Sequence, residues 1–234
     1  MVHIQAPSNR RLVWYLAMEE YLAQHVQDEL FVTWVVAPTV IFGRHQVMEA
    51  EVNMDYCLAN KIAMYRRKSG GGCVYADEGN LMMSLISPST HSEQVFQSFL
   101  DRVSDVLRSW GLPAVKSEHN DIMVDGYKVS GNACYALSTG TIVHGTLLVD
   151  VDFEMLQQAI TPSASKLAKH GVKSVRQRVT NLKTLLSQPW QLPEVRLHLI
   201  NALCTCVRAL TEEEIQEIDK IEQTYLNPLF IAGK

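Results

Sequence analysis

The strongest constraint on the fold lies between Ala114 and Val151, where short apolar runs are cut by Asp125-Gly126, Ser130-Gly131 and Gly140. An Asp-Gly pair between two such runs favours the two-residue turn of a β-hairpin, so this region is expected to form antiparallel strands. On both sides the apolar period changes to that of a helix. Leu12, Tyr15, Leu16, Glu19, Leu22, Ala23 and Val26 recur at helical spacing, and Glu19 is the one polar break. Glu93 to Trp110 repeats the pattern, with Gly111 placed as its C-terminal cap. Further helices are expected over Phe153 to Ile160, Glu194 to Leu210 and Glu212 to Leu226, the last opened by Thr211 with Glu214 as a capping box. Nearer the N-terminus, Leu30 to Ala37 and Thr39 to Gly43 read as strands meeting at a hairpin-like corner at Pro38. A short helix over Asp55 to Asn60 and strands over Ile62 to Arg66, Cys73 to Tyr75 and Leu81 to Ile86 follow. Helices alternating with hairpin-rich strands predict an α+β fold, a mixed β-sheet flanked by helices.

A chain of 234 residues, 47% of them hydrophobic, can bury a sizeable core without metals or disulfides, so one domain over 1–234 is expected. Lys+Arg 21 against Asp+Glu 25 leaves no general basic field for nucleic acid or an anionic membrane. The polar first ten residues and the lack of an apolar run of membrane-spanning length point to a cytoplasmic protein. Five irregularly spaced cysteines fit reduced thiols, with Cys204 and Cys206 diverging on a helix.

The chemistry concentrates in three segments. Arg66-Arg67-Lys68-Ser69-Gly70-Gly71-Gly72 carries fixed charge into three consecutive glycines, which are costly to order unless a ligand approaches the backbone closely. No Gly-Lys-Ser/Thr follows and a strand comes next, so this is neither a P-loop nor a dinucleotide fingerprint. In the second, the Asp125-Gly126 turn folds Asn120 and Asp121 back beside Lys128, bringing a cation to a carboxylate in a pairing suited to phosphate. In the third, His144-Gly145 sits within an apolar strand, which taken alone fits a satisfied core histidine. A basic stretch from Ser163 to Thr180, with Lys166, Lys169, Lys173, Arg176 and Arg178, reads as a surface loop long enough to be functional.

Taken together and in order, these segments resemble the lipoate-protein ligase family. The resemblance rests on Arg66-Arg67-x-Ser69-Gly70-Gly71-Gly72 with Val74-Tyr75, Asp77 and Gly79-Asn80, on Gly43-Arg44-His45-Gln46, and on Lys128-x-Ser130-Gly131-Asn132-Ala133. His144-Gly145-Thr146-Leu147-Leu148 and Gly171 to Leu182 extend it over nearly the whole chain. It implies the catalytic-domain fold shared by biotin and lipoate ligases. It also implies a two-step reaction, in which lipoate and ATP with Mg²⁺ give lipoyl-AMP and a lipoyl-domain lysine then displaces AMP. By the same resemblance Lys128 is the catalytic residue. Arg67, Gly72, Cys73, Val74 and Tyr75 contact the nucleotide, Gly70 and Gly71 wall the acyl tunnel, Ser130 belongs to the binding motif, and His144 sits near the acyl carboxyl. Asn120 and Asp121 take the metal. Acceptors would be lipoyl domains of 2-oxoacid dehydrogenase complexes or the glycine cleavage H protein.

Two features depart from the family pattern. Ala76 stands where a His commonly precedes the Asp. Two-domain ligases continue into a C-terminal accessory domain that is expected to be absent here, its part left to a separate small accessory subunit or to none. The alternative is an octanoyl- or lipoyl-transferase acting through a cysteine thioester. One such class carries its cysteine three residues before His-Gly, where this chain has Thr141, which leaves Cys134 as the candidate nucleophile.

Overall fold

The computed structural model describes residues 1–118, 120–161, 178–188 and 190–233. In chain order the elements are β1 (Val2–Gln5), α1 (Leu12–His25), β2 (Leu30–Trp34), β3 (Thr39–Phe42), α2 (Met48–Glu51), α3 (Met54–Ala59), β4 (Ala63–Arg66), β5 (Val74–Ala76) and β6 (Asn80–Ser87). Then come α4 (Ser92–Ser109), β7 (Ala114–Lys116), β8 (Asp121–Val124), β9 (Tyr127–Leu137), β10 (Gly140–Leu148) and α5 (Phe153–Ala159). The chain closes with α6 (Leu192–Leu203), β11 (Cys206–Ala209), α7 (Glu212–Tyr225) and α8 (Pro228–Ala232).

The larger sheet has the order β11-β1-β2-β6-β10-β9-β8-β7, and the smaller one β4-β3-β5. β11, β1 and β2 pair in parallel while the strands from β2 through β7 pair antiparallel, so the sheet is mixed as expected. Asp125 and Gly126 take φ of 49° and 81°, the backbone that the β8–β9 hairpin turn requires. Gly111 at φ 84° ends α4, and Thr211 with Glu214 forms the capping box of α7. Apolar residues of α4 and α6 pack on one face of the large sheet, and those of α1 and α7 on the other. A third cluster joins β3 to α3 and α5 beneath the small sheet.

Three expectations need correction. Pro38 does not turn a hairpin: β2 lies in the large sheet and β3 in the small one, where it pairs with β4 and β5. Proline offers no N–H for continued pairing, and its carbonyl instead accepts from the Ala63 amide at 3.2 Å. The helix expected over Glu194 to Leu210 stops at Leu203, and Cys206–Ala209 is an edge strand beside β1. Its β-branched and small residues gain the β1 ladder bonds, which outweigh a weak apolar period. Cys204 and Cys206 are therefore not on one helix. β1 itself escaped the pattern because Val2–Gln5 alternates apolar with polar over only four residues. The family-like run Gly171 to Arg176, with Lys166, Lys169 and Lys173, lies outside the described residues.

Candidate active site

A cleft of about 560 Å³ opens where the small sheet meets β8, β9 and β10. Leu16, Trp34, Ile41, Met82, Leu148 and Leu156 give it apolar walls; Lys128, Asp121, Arg178 and Asn132 give it a polar one. The cleft combines room for an aliphatic chain with cations for an anion.

The hairpin predicted from Asp125-Gly126 builds the polar wall. It returns β9 beside β8, with a bulge between Ile122 and Met123, and sets Lys128 Nζ 2.8 Å from Asp121 Oδ1. Asp121 Oδ2 pairs with Arg178, whose segment runs alongside β9: the Lys128 amide donates to the Arg178 carbonyl at 2.8 Å. Asp121 is 4% exposed, so it is a buried carboxylate between two cations, an arrangement in which each group relieves the others' desolvation. Two close approaches depend on glycine here. A Cβ on Gly131 would lie 2.4 Å from Lys128 Nζ, and one on Gly145 only 2.0 Å from Asn132 Oδ1. Ser130 is buried and donates to Asn132 Oδ1 at 3.2 Å, holding the Asn132 side chain without lining the cleft.

Asn120, at φ 69°, uses its carbonyl to accept from the Asn132 amide and side chain at 3.2 and 2.9 Å. Among the described residues, no group of three or more His, Cys, Asp or Glu side chains is placed to hold a metal ion. With both oxygens of Asp121 already facing cations, Asn120 and Asp121 do not by themselves form a resident metal site.

The glycine loop, 69–72, forms the adjoining wall, and Arg67 organises it. Its Nε and Nη2 donate to the Gly70 carbonyl at 3.0 and 2.7 Å, Nη2 to Gly72 at 2.6 Å and Nη1 to Ile41 at 3.2 Å. Burial lowers this guanidinium to about 10, with the Cys73 side chain pulling the other way, and leaves it charged at neutral pH. Arg66, one residue earlier, faces elsewhere and donates to the carbonyls of Gly43, Arg44, Gln46 and Ile231. The Gly43 motif abuts the loop because a Cβ there would meet the Gly71 carbonyl oxygen at 2.3 Å. Gly71, Gly72, Cys73, Val74 and Tyr75 line the cleft, whereas Gly70, expected to wall an acyl tunnel, is exposed and does not line it. His144 also lines it, bonded to Ser69 and to Glu19.

Cys134 is not at the cleft. It pairs opposite Val143 and packs against the cluster beneath α4, where burial raises its thiol to about 11, Glu93 adding to the effect. Thr141 is buried and donates its hydroxyl to the Ser89 carbonyl at 2.7 Å. Two residues of the site went unread as such, Arg178 within a basic loop and Glu19 as a break in a helical stripe.

The fold and cleft place the chain in a known class. It superposes on the chain of a bi-partite lipoate protein ligase from Thermoplasma acidophilum with a TM-score of 0.87 at 26% identity, covering 99% of this chain and 96% of that one. Against lipoate-protein ligase A crystallised with ATP the TM-score is 0.85 at 25% identity, over 99% and 98% of the two chains. The lipoyl protein ligase A/B catalytic-domain model matches residues 13–204. Lipoate–protein ligase 1 of Staphylococcus aureus is 34% identical over 213 residues, 88% of this chain and 65% of that protein. The chain belongs to the lipoyl protein ligase A/B catalytic-domain family. It spans less than two thirds of the length of that staphylococcal relative.

Proposed function

We propose that this protein is the catalytic domain of a lipoate-protein ligase. In the first step an oxygen of the lipoate carboxylate bonds to the α-phosphorus of ATP and pyrophosphate leaves, giving lipoyl-AMP. In the second, the amine of a lipoyl-domain lysine attacks the acyl carbon, AMP leaves and the amine gives up a proton. The observation that carries this reading is the Lys128–Asp121–Arg178 cluster on the wall of a cleft whose other walls are apolar. Negative charge develops on the carboxyl oxygen and α-phosphate in both steps, and a pre-positioned ammonium lowers its cost. Lys128 is the group assigned to that task. Arg67 acts through the loop it holds, presenting Gly72, Cys73, Val74 and Tyr75 to the nucleotide, while Gly71 shapes the acyl wall and His144 borders the carboxyl end; Gly70, outside the cleft, has no part in that wall. Magnesium would be carried in by the nucleotide, would neutralise charge on the departing pyrophosphate, and would be held on the protein side by Asn120 and Asp121.

The acceptors proposed are lipoyl domains of 2-oxoacid dehydrogenase complexes or the glycine cleavage H protein, modified in the cytoplasm. No helix among the described residues is long and apolar enough to cross a membrane. A separate small protein assisting activation is supported by the near end-to-end match to a chain of a bi-partite ligase. The thioester alternative is disfavoured by Cys134, whose thiol is raised to about 11 and packs away from the cleft. The decisive test measures lipoate-dependent exchange of labelled pyrophosphate into ATP, together with transfer from synthetic lipoyl-AMP to a lipoyl domain. Activity in both supports the reading, and transfer alone assigns activation to a partner. Neither activity, or a hydroxylamine-sensitive acyl group on Cys134, overturns it.

A further inference from the structure

Two adjacent carboxylates of α1 hold Lys68 and Ser69, the two residues that lead into the glycines of the loop. Glu20 accepts from Lys68 Nζ at 2.7 and 3.0 Å and from the Tyr225 hydroxyl at 3.0 Å. Glu19 points inward and is 2% exposed. Its Oε2 lies 2.9 Å from His144 Nδ1, its Oε1 accepts from the Ser84 hydroxyl, and His144 Nε2 lies 2.8 Å from Ser69 Oγ. A carboxylate only accepts, so His144 donates to Glu19 from Nδ1, and its Nε2 is the atom that bonds the Ser69 hydroxyl. Ser69 is pinned a second time, its carbonyl accepting from the Arg44 amide at 3.0 Å.

Packing does not account for Glu19. Tyr15, Leu16, Leu22 and Ala23 on the same helix are buried, and an apolar side chain would fill the stripe without the several kcal/mol that burying a carboxylate costs in the absence of partners. Glu19 does not line the cleft, whereas His144 and the residues from Gly71 to Tyr75 do.

We propose that Glu19 is a positioning residue: it fixes the His144 ring, the ring fixes the Ser69 hydroxyl, and Ser69 holds the glycine loop at the distance that shapes the cleft wall. The effect on turnover rests on the lipoate-ligase reading. The hold on the loop does not.

Hydrogen–deuterium exchange of the amides from Ser69 to Val74 reads that hold directly. In Glu19→Ala it should rise at least about tenfold, a loss of roughly 1.4 kcal/mol of local protection, while α4 and β8 exchange as before. Glu19→Gln still offers a carbonyl oxygen to Nδ1 and should restore most of the protection. Because Glu19 acts through the same chain as Ser69, Glu19→Ala combined with Ser69→Ala should loosen the loop no more than the larger single change. In pyrophosphate exchange the KM for lipoate should rise about tenfold in Glu19→Ala while kcat stays within about threefold, the split expected when positioning rather than chemistry is lost. Unchanged loop exchange in Glu19→Ala, or additive loosening in the double variant, overturns the proposal, as does a loosened loop with normal lipoate KM. Should Glu19→Ala not fold, Glu19→Gln and Ser69→Ala give the same comparison. If the wild-type protein catalyses neither exchange nor transfer from lipoyl-AMP yet the loop responds as described, the ligase reading fails and the hold on the loop stands.

Discussion

Arg67→Ala is expected to damage the whole glycine loop rather than a nucleotide contact alone, and the size of the effect follows from its bonds. The guanidinium makes four hydrogen bonds to three carbonyls, and it is 5% exposed. The Ile41 carbonyl belongs to a buried strand residue, and orphaning it costs about 1–3 kcal/mol. Gly70 and Gly72 are exposed and recover water, so their charge-assisted bonds add less than the roughly 1.5–3 kcal/mol each that such bonds contribute when buried. Releasing a desolvated guanidinium offsets part of the loss. The net is about 2–4 kcal/mol, which for a chain of this size lowers Tm by roughly 5–15 °C. Thermal unfolding of the purified variant measures this. Since Gly71 to Tyr75 line the one cleft proposed to take both acyl chain and nucleotide, use of preformed lipoyl-AMP should fall together with ATP-dependent activation. Arg67→Lys should recover only part, because an ammonium is a point donor and cannot fork across three carbonyls. A Tm within about 1 °C of wild type, or a defect confined to the KM for ATP, would refute the scaffold role and return Arg67 to a phosphate contact.

Lys128→Ala should leave the fold intact, since Arg178 still faces Asp121, and slow transfer from lipoyl-AMP at least a hundredfold, about 3 kcal/mol. A well-folded variant with normal turnover would remove Lys128 from the catalytic step. Cys134→Ser should keep most activity with lipoate, ATP and acceptor, and intact-mass spectrometry after incubation with an acyl donor should find no thioester; loss of several orders of magnitude would favour the transferase. Burial first and Arg196 second hold the His3 ring down to about 4, against an ordinary 6.5. The unfolded chain therefore binds more protons between those values, and stability is lost as pH falls through that window, by up to about 3 kcal/mol. His3→Gln should flatten this limb of the urea-unfolding profile, and an unchanged slope would exclude His3 as its source.

What could be read in advance depended on how local the deciding interaction was. The β8–β9 hairpin was legible because Asp125-Gly126 carries its turn within two residues, and the proximity of Lys128 to Asp121 followed from that turn alone. The end of α6 was not legible: what converts Cys206–Ala209 to strand is the β1 edge, some two hundred residues away in sequence. Pro38 misled for the same reason, since a proline ends pairing but does not say which sheet the next strand joins. In the site, the glycine loop announced itself through composition, yet the roles of its two arginines did not. Successive side chains of a strand alternate faces, so Arg66 and Arg67 diverge. Arg66 binds carbonyls of the Gly43 motif and of α8, while Arg67 binds those of the loop. Glu19 was visible as a polar break in the stripe of α1, but its partner is 125 positions away.

These bonds bear on how the cleft binds. Three flexible glycines would ordinarily lose substantial backbone entropy on closing over a ligand, on the order of 1–2 kcal/mol per residue. Here Arg67 bonds to two of their carbonyls, Ser69 is held through His144, and Lys68 is held by Glu20. Much of the ordering is thus completed when the chain folds, at the expense of two buried charges, Arg67 and Glu19, that an apolar core would not carry. A loop ordered in advance lets contacts with acyl chain and phosphate count toward binding instead of toward closure. Glycine remains necessary at Gly71, whose φ is 92° and where a Cβ would lie 2.8 Å from Arg67 Nη2, so the order comes from the arginine and the absence of side chains gives the ligand its space.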